Sequence, residues 1–204
     1  MDSLTWSVLV SIALSDFISL AFVSAPAIVY ALIVRITKKL DFKAIAENLG
    51  LTLGIRRYYT YAFAILSFLV LSGLLFHKLG LSISPPLKRF LGQPMTPVNL
   101  IQALSFGLVV TGFGEELLFR GLIGGILGRR LSFWKANIAQ AIFFIVPHLL
   151  VLSDNPSYWP SVVAGPFLLG LILGWLRLRS GSIFPCWIIH GFGNVFSAIL
   201  TMMG

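Results

Sequence analysis

Long apolar runs, separated by short polar loops rich in Lys and Arg, make up most of the 204-residue chain. A helix needs roughly 20 apolar residues to cross the hydrocarbon core of a bilayer. Six segments come close to or exceed that length: about 4–34, 58–76, 99–127, 134–152, 161–176 and 183–203. The pattern predicts an all-α fold, a polytopic transmembrane helical bundle of about six spans, with residues 1–204 forming a single integral membrane domain. The first run is overlong and holds Asp16 and Pro26, so a tilt or kink is expected there. The second opens on Tyr58, Tyr59 and Tyr61, an interfacial aromatic belt. Between these two, residues 41–51 are mixed in polarity and suit a short amphipathic helix lying along the surface. Four prolines, Pro85, Pro86, Pro94 and Pro97, predict an irregular second loop.

Composition narrows the class further. Hydrophobic residues make up 57% and charged residues 11%, against about 25% charged in a soluble domain. That excludes a soluble enzyme and a disordered tail. Cys186 is the single cysteine, so no internal disulfide forms. The net charge of +8 does not point to nucleic acid, because the basic residues lie in loops between apolar runs. They report orientation instead. Arg35, Lys38, Lys39, Lys43, Arg56 and Arg57 fill the first loop, Arg129 and Arg130 the third, and Arg177 and Arg179 the fifth. The second loop has only Lys78, Lys88 and Arg89, and the fourth has none. Loops one, three and five are therefore expected on the cytoplasmic side, with residues 154–159 external. The N-terminal run lacks the basic flank of a signal peptide and reads as a retained span.

A few residues break the apolar pattern: Asp16, Glu115, Glu116, Arg120, His148, His190 and Asn194. An ionisable group costs at least about 2.5–3.5 kcal/mol at the bilayer centre on insertion scales, so each is a functional candidate. All but Asp16 fall on the third, fourth and sixth runs. At 1.5 Å per residue, Glu115, His148 and His190 lie roughly 12–20 Å from the cytoplasmic ends of their helices. One carboxylate and two imidazoles thus share a depth. Glu116 and Arg120 are four apart with the acid first, the favourable order for an intrahelical pair, and that pair is either structural or a brace for a site. Glu115 is turned about 100° away, without such a partner, and must face a polar cavity or take a proton. That suits a tuned general base. Gln140, Phe144 and His148 share a face, and Pro147 is expected to free the Phe143 carbonyl and bend the helix. His190 and Asn194 also share a face, with Gly191 and Gly193 permitting close backbone approach.

Three strings then fall into place together. Glu115-Glu116-Leu117-Leu118-Phe119-Arg120 fits EExxxR, Phe144 to His148 fits FxxxH, and His190 to Asn194 fits HxxxN. The chain resembles the CPBP (Abi) intramembrane proteases, relatives of the type II CAAX prenyl endopeptidases. The resemblance covers the C-terminal half, with a motif-bearing catalytic core at about 97–204. It implies a membrane-embedded endopeptidase, in the cell membrane of a prokaryote, whose site opens to the cytoplasm. On it, Glu115 and His148 activate a water, His190 and Asn194 stabilise the oxyanion, and Glu116 and Arg120 brace the site. It further implies a peptide or membrane-protein substrate, lipidated or not, and neither cofactor nor nucleic acid. The chain is shorter than the eukaryotic enzymes, which leaves the CAAX substrate open.

Other readings stand beside it. Glu115, His148 and His190 have the donor types of a catalytic zinc site, although no HExxH helix is present. A non-catalytic scaffold or bacteriocin-immunity-type protein, bound to another membrane protein, would need none of these residues. A proton or ion carrier could use them as a relay, but transporters commonly show repeats in their two halves, and here the polar residues cluster in one. The G-x-S-x-G elbow of serine hydrolases is absent. An aspartyl-type dyad would need Asp16 as its second acid, and Asp16 is expected near the opposite membrane face.

Overall fold

The computed structural model describes residues 3–81, 87–149 and 158–204. Among the described residues the regular structure is entirely helical. α1 is Ser3–Thr37, α2 Phe42–Leu49 and α3 Arg57–Lys78. α4 runs through Pro97–Arg130, α5 is Phe133–Ile145, α6 Trp159–Ser180 and α7 Phe184–Met203. Five of them, α1, α3, α4, α6 and α7, are long and apolar enough to cross a membrane. Their large apolar side chains point outward in quantity; Phe22 in α1 is 81% exposed and Phe68 in α3 is 68% exposed. Such surface is tolerable only in lipid or against another protein. The protein is an integral membrane protein.

The expected fourth span opens with α5. Its α-helix ends at Ile145 after 13 residues and tightens into a 3₁₀ turn at Val146–His148. Pro147 explains the change, since it cannot donate to the carbonyl four residues back. The Val146 N–H takes the Phe143 carbonyl instead. The expected end of that span, 150–152, and most of the external loop at 154–159 lie outside the described residues.

α2 is the surface helix expected between the first two spans. The Asp41 carboxylate accepts the Ala44 N–H at 2.7 Å and caps its start. Gly50 ends it in the left-handed region at φ +69, as helix C-termini commonly do. Ile45 and Leu49 turn inward onto Ala27 and Val34 of α1 and Leu117 of α4. Two backbone hydrogen bonds then tie the surface loop to the α6–α7 corner: Ile55 N to Ser180 O at 3.0 Å and Ile183 N to Gly50 O at 2.9 Å.

α4 is the hub, packed against α1 on one side and α7 on the other. Thr96 caps its start by accepting the Asn99 N–H at 3.3 Å, with Pro97 in the first turn. From Ser105 to Gly124 the helix is wider than the α form and has π geometry. Its hydrogen bonds run i→i+5, a pattern usually confined to single turns at functional sites. The α4–α7 contact is backbone to backbone. A Cβ on Gly112 would meet Gly191 Cα at 2.8 Å, and one on Gly107 would meet the Val195 nitrogen at 2.8 Å. This close approach is what sets the acids of α4 beside the imidazole of α7.

Candidate active site

The centre of the cluster is the Glu116 carboxylate, which is fully buried. Its Oε1 accepts from Arg120 Nη1 at 2.9 Å and from the His190 ring at Nδ1, 2.8 Å away. The i,i+4 pair read from the sequence is thus present, and it has a third member from another helix. A carboxylate accepts only, so His190 carries a proton on Nδ1. Its Nε2 faces the second acid, with Glu115 Oε2 at 3.8 Å. That separation is too long for a direct hydrogen bond. Glu115 differs from its neighbour in access: its side chain is 23% exposed, against none for Glu116.

The Phe144 ring joins the pieces from α5. The Arg120 guanidinium lies over it, 4.0 Å from the centroid. The rings of His148 and His190 meet it edge-on at 5.0 Å and 5.5 Å. Because the ring is wholly enclosed, it screens the Arg120 charge from lipid while contributing a cation–π attraction. His148 Nδ1 lies 2.9 Å from the Phe144 carbonyl. A carbonyl only accepts, so Nδ1 carries a proton, and in the neutral ring Nε2 keeps its lone pair. The 3₁₀ turn forced by Pro147 brings this ring back onto its own helix.

The predicted residues therefore fall into three groups. Glu115, Glu116, Arg120 and His190 meet directly. His148 reaches them through Phe144, and no hydrogen bond or ion pair joins it to Glu115 among the described residues. Asn194 lies one turn beyond His190 and is tied elsewhere: its Nδ2 donates to Thr111 Oγ1 at 2.8 Å. Thr111 donates in turn to the Phe106 carbonyl at 2.9 Å, five residues back in the π segment. Thr111 was not singled out by the sequence, since a hydroxyl in a span is commonly satisfied by its own helix. Trp187 was also silent there; its indole donates to the Leu108 carbonyl at 2.6 Å and fixes α7 against α4.

Asp16 is separate from this cluster. It is buried and paired with Arg89, Oδ1 to Nη2 at 2.9 Å. With the Gln102 amide oriented oxygen-first, that oxygen accepts from Arg89 Nε at 2.8 Å and Nη2 at 3.0 Å. The result is a tie between α1, the loop before α4, and α4 itself. Among the described residues no group of three or more His, Cys, Asp or Glu side chains is arranged to hold a metal ion.

Chemically, the arrangement offers a partly accessible carboxylate, an imidazole with a free Nε2, and a second imidazole fixed by a buried acid. Residues 97–196 match the family described as Type II CAAX prenyl endopeptidase Rce1-like. Neither a curated protein nor a solved structure matches the chain.

Proposed function

We propose that this membrane protein is a glutamate-type intramembrane endopeptidase, a reading that the match of residues 97–196 to the Rce1-like family supports. Glu115 takes a proton from a water held between it and His148 Nε2, and the water oxygen attacks the scissile carbonyl carbon. The carbonyl oxygen becomes an oxyanion, stabilised by the Asn194 amide and by His190, which donates from Nε2 in its doubly protonated form while its Nδ1–H stays on Glu116. Glu115 then returns its proton to the leaving amine, and two new chain ends result. Glu116 positions His190 through Nδ1, as buried carboxylates commonly orient catalytic imidazoles. Arg120 balances the buried charge, and Phe144 packs over it. Carrying this reading is one observation: adjacent glutamates divided between two roles, one enclosed against Arg120 and His190 Nδ1, the other partly open beside His190 Nε2.

The substrate is a peptide segment of a membrane or membrane-associated protein, with or without a lipid. In this reading the open side of the site faces the cytoplasm of a prokaryotic cell, a sidedness that the charge bias of the loops supports. New protein termini in cells carrying the intact protein, compared with cells carrying Glu115→Gln, test the proposal. A set of termini that disappears in the variant is expected; identical profiles at equal expression would mean a scaffold instead. Activity of the purified protein should survive a strong chelator. Loss of activity restored by zinc would overturn the metal-independent route.

A further inference from the structure

The face of α4 turned towards α1 and α2 carries a feature that the chemistry above does not use. A cavity of about 400 Å³ lies between α1 and α2, bounded on α4 by Leu117. That is within the usual range of roughly 300–1,000 Å³ for small-molecule sites. Its lining is apolar apart from Arg35, and none of Glu115, Glu116, His148 or His190 contributes. Ile45, Leu49 and Leu117 belong to the packed cluster joining the three helices, so these walls are held by core packing.

The polar end of the cavity is positive. Arg35 is exposed, donates from Nη1 to the Leu40 carbonyl at 2.9 Å, and stacks over the Phe42 ring at 5.2 Å. These contacts hold its guanidinium at the turn between the long span and the surface helix. Lys38, Lys39 and Lys43 are exposed in the same stretch. Of the two acids in this stretch, Asp41 is engaged as the cap of α2 and Glu47 is exposed on α2 outside the cavity lining. An occupant must therefore be apolar along its length, anionic at one end, and situated where a span meets water.

We propose that this cavity holds one acyl chain of an anionic phospholipid, with its phosphate against Arg35. A zwitterionic lipid would gain the apolar walls without the net attraction of the basic rim. The bound chain presses on Leu117, the residue after Glu116, and so supports α4 where it packs on α1 and α2. Binding to the folded state alone raises its stability.

The test uses the purified full chain in detergent, titrated with phosphatidylglycerol or phosphatidylcholine of the same acyl composition. Native mass spectrometry counts the bound lipid, and the melting temperature is followed in parallel. One saturable phosphatidylglycerol, a rise in melting temperature and weaker phosphatidylcholine binding are expected. Arg35→Gln should bind phosphatidylglycerol roughly fivefold more weakly, the usual effect of one basic residue at a membrane surface. Ala46→Phe, which fills the cavity, should lose binding of both lipids. Arg130→Gln, an exposed arginine that does not line the cavity, should bind normally. Equal binding of the two lipids by the unaltered chain overturns the proposal. So does an Arg130→Gln loss as large as that of Arg35→Gln, or full binding by Ala46→Phe.

Discussion

Two neighbouring glutamates with the same side chain differ in every contact that matters. Glu116 is enclosed and shares one oxygen between Arg120 and His190. Glu116→Gln strands the Arg120 charge in a water-poor site, and breaking one side of a buried pair typically costs about 3–5 kcal/mol. A large drop in detergent melting temperature is expected, with partial recovery when Arg120→Met is added. A Glu116→Gln protein that melts like the unaltered chain would show that the pair is not a structural element. Thr111 gives a finer test. Thr111→Val removes the acceptor that holds Asn194 and should lower kcat roughly tenfold, a fraction of the 10²–10³ carried by a whole oxyanion donor. Thr111→Ser should restore it. Unchanged kcat in Thr111→Val would remove Asn194 orientation from the account. The Glu116–Arg120 pair was legible because both residues sit one turn apart on one helix. The bonds from Glu116 to His190 and from Asn194 to Thr111 were not, because they join helices 74 and 83 residues apart in sequence.

At the scale of elements, hydropathy located five spanning helices and the surface helix α2 well. Pro147 turned the end of α5 into a 3₁₀ turn within the apolar run, since a run of apolar residues does not report the loss of one backbone donor. The π form of Ser105–Gly124 was illegible for a related reason: residue types fix which side chains are apolar, not whether a turn closes at the fourth or fifth residue. The glycines of α4 were the available hint, and they carry a prediction. Gly107→Ala places a Cβ 2.8 Å from the Val195 nitrogen and 3.0 Å from the Gly191 carbonyl oxygen, backbone that cannot move without separating α4 from α7. Overpacking of that kind typically costs about 1–3 kcal/mol, and activity should fall with it as Glu115 moves away from His190. Gly193→Ala is the control, because its Cβ would meet nothing within 4 Å. It should leave the melting temperature nearly unchanged or slightly raised, given the better helix propensity of alanine. Equal melting of the two variants would remove the close α4–α7 approach as the device that assembles the site.

For the whole molecule, the orientation and the chemistry are the claims at stake. The basic loops predict the sidedness, and thiol labelling checks it in a Cys186→Ser background, where the single, buried cysteine no longer reports. Lys38→Cys should label from the cytoplasmic side and Gln93→Cys from the outside; the reverse pattern inverts the molecule. The catalytic claim rests on Glu115 acting as a base without holding the fold together. The most direct measurement is therefore peptide-bond hydrolysis by the purified protein reconstituted in lipid vesicles, with the unaltered chain and Glu115→Gln compared at matched melting temperature. Turnover should fall by roughly 10²–10⁴, the usual contribution of a general base, while melting is unchanged or higher, because an amide is easier to bury than a carboxylate. Equal turnover by a fully folded Glu115→Gln protein would contradict it.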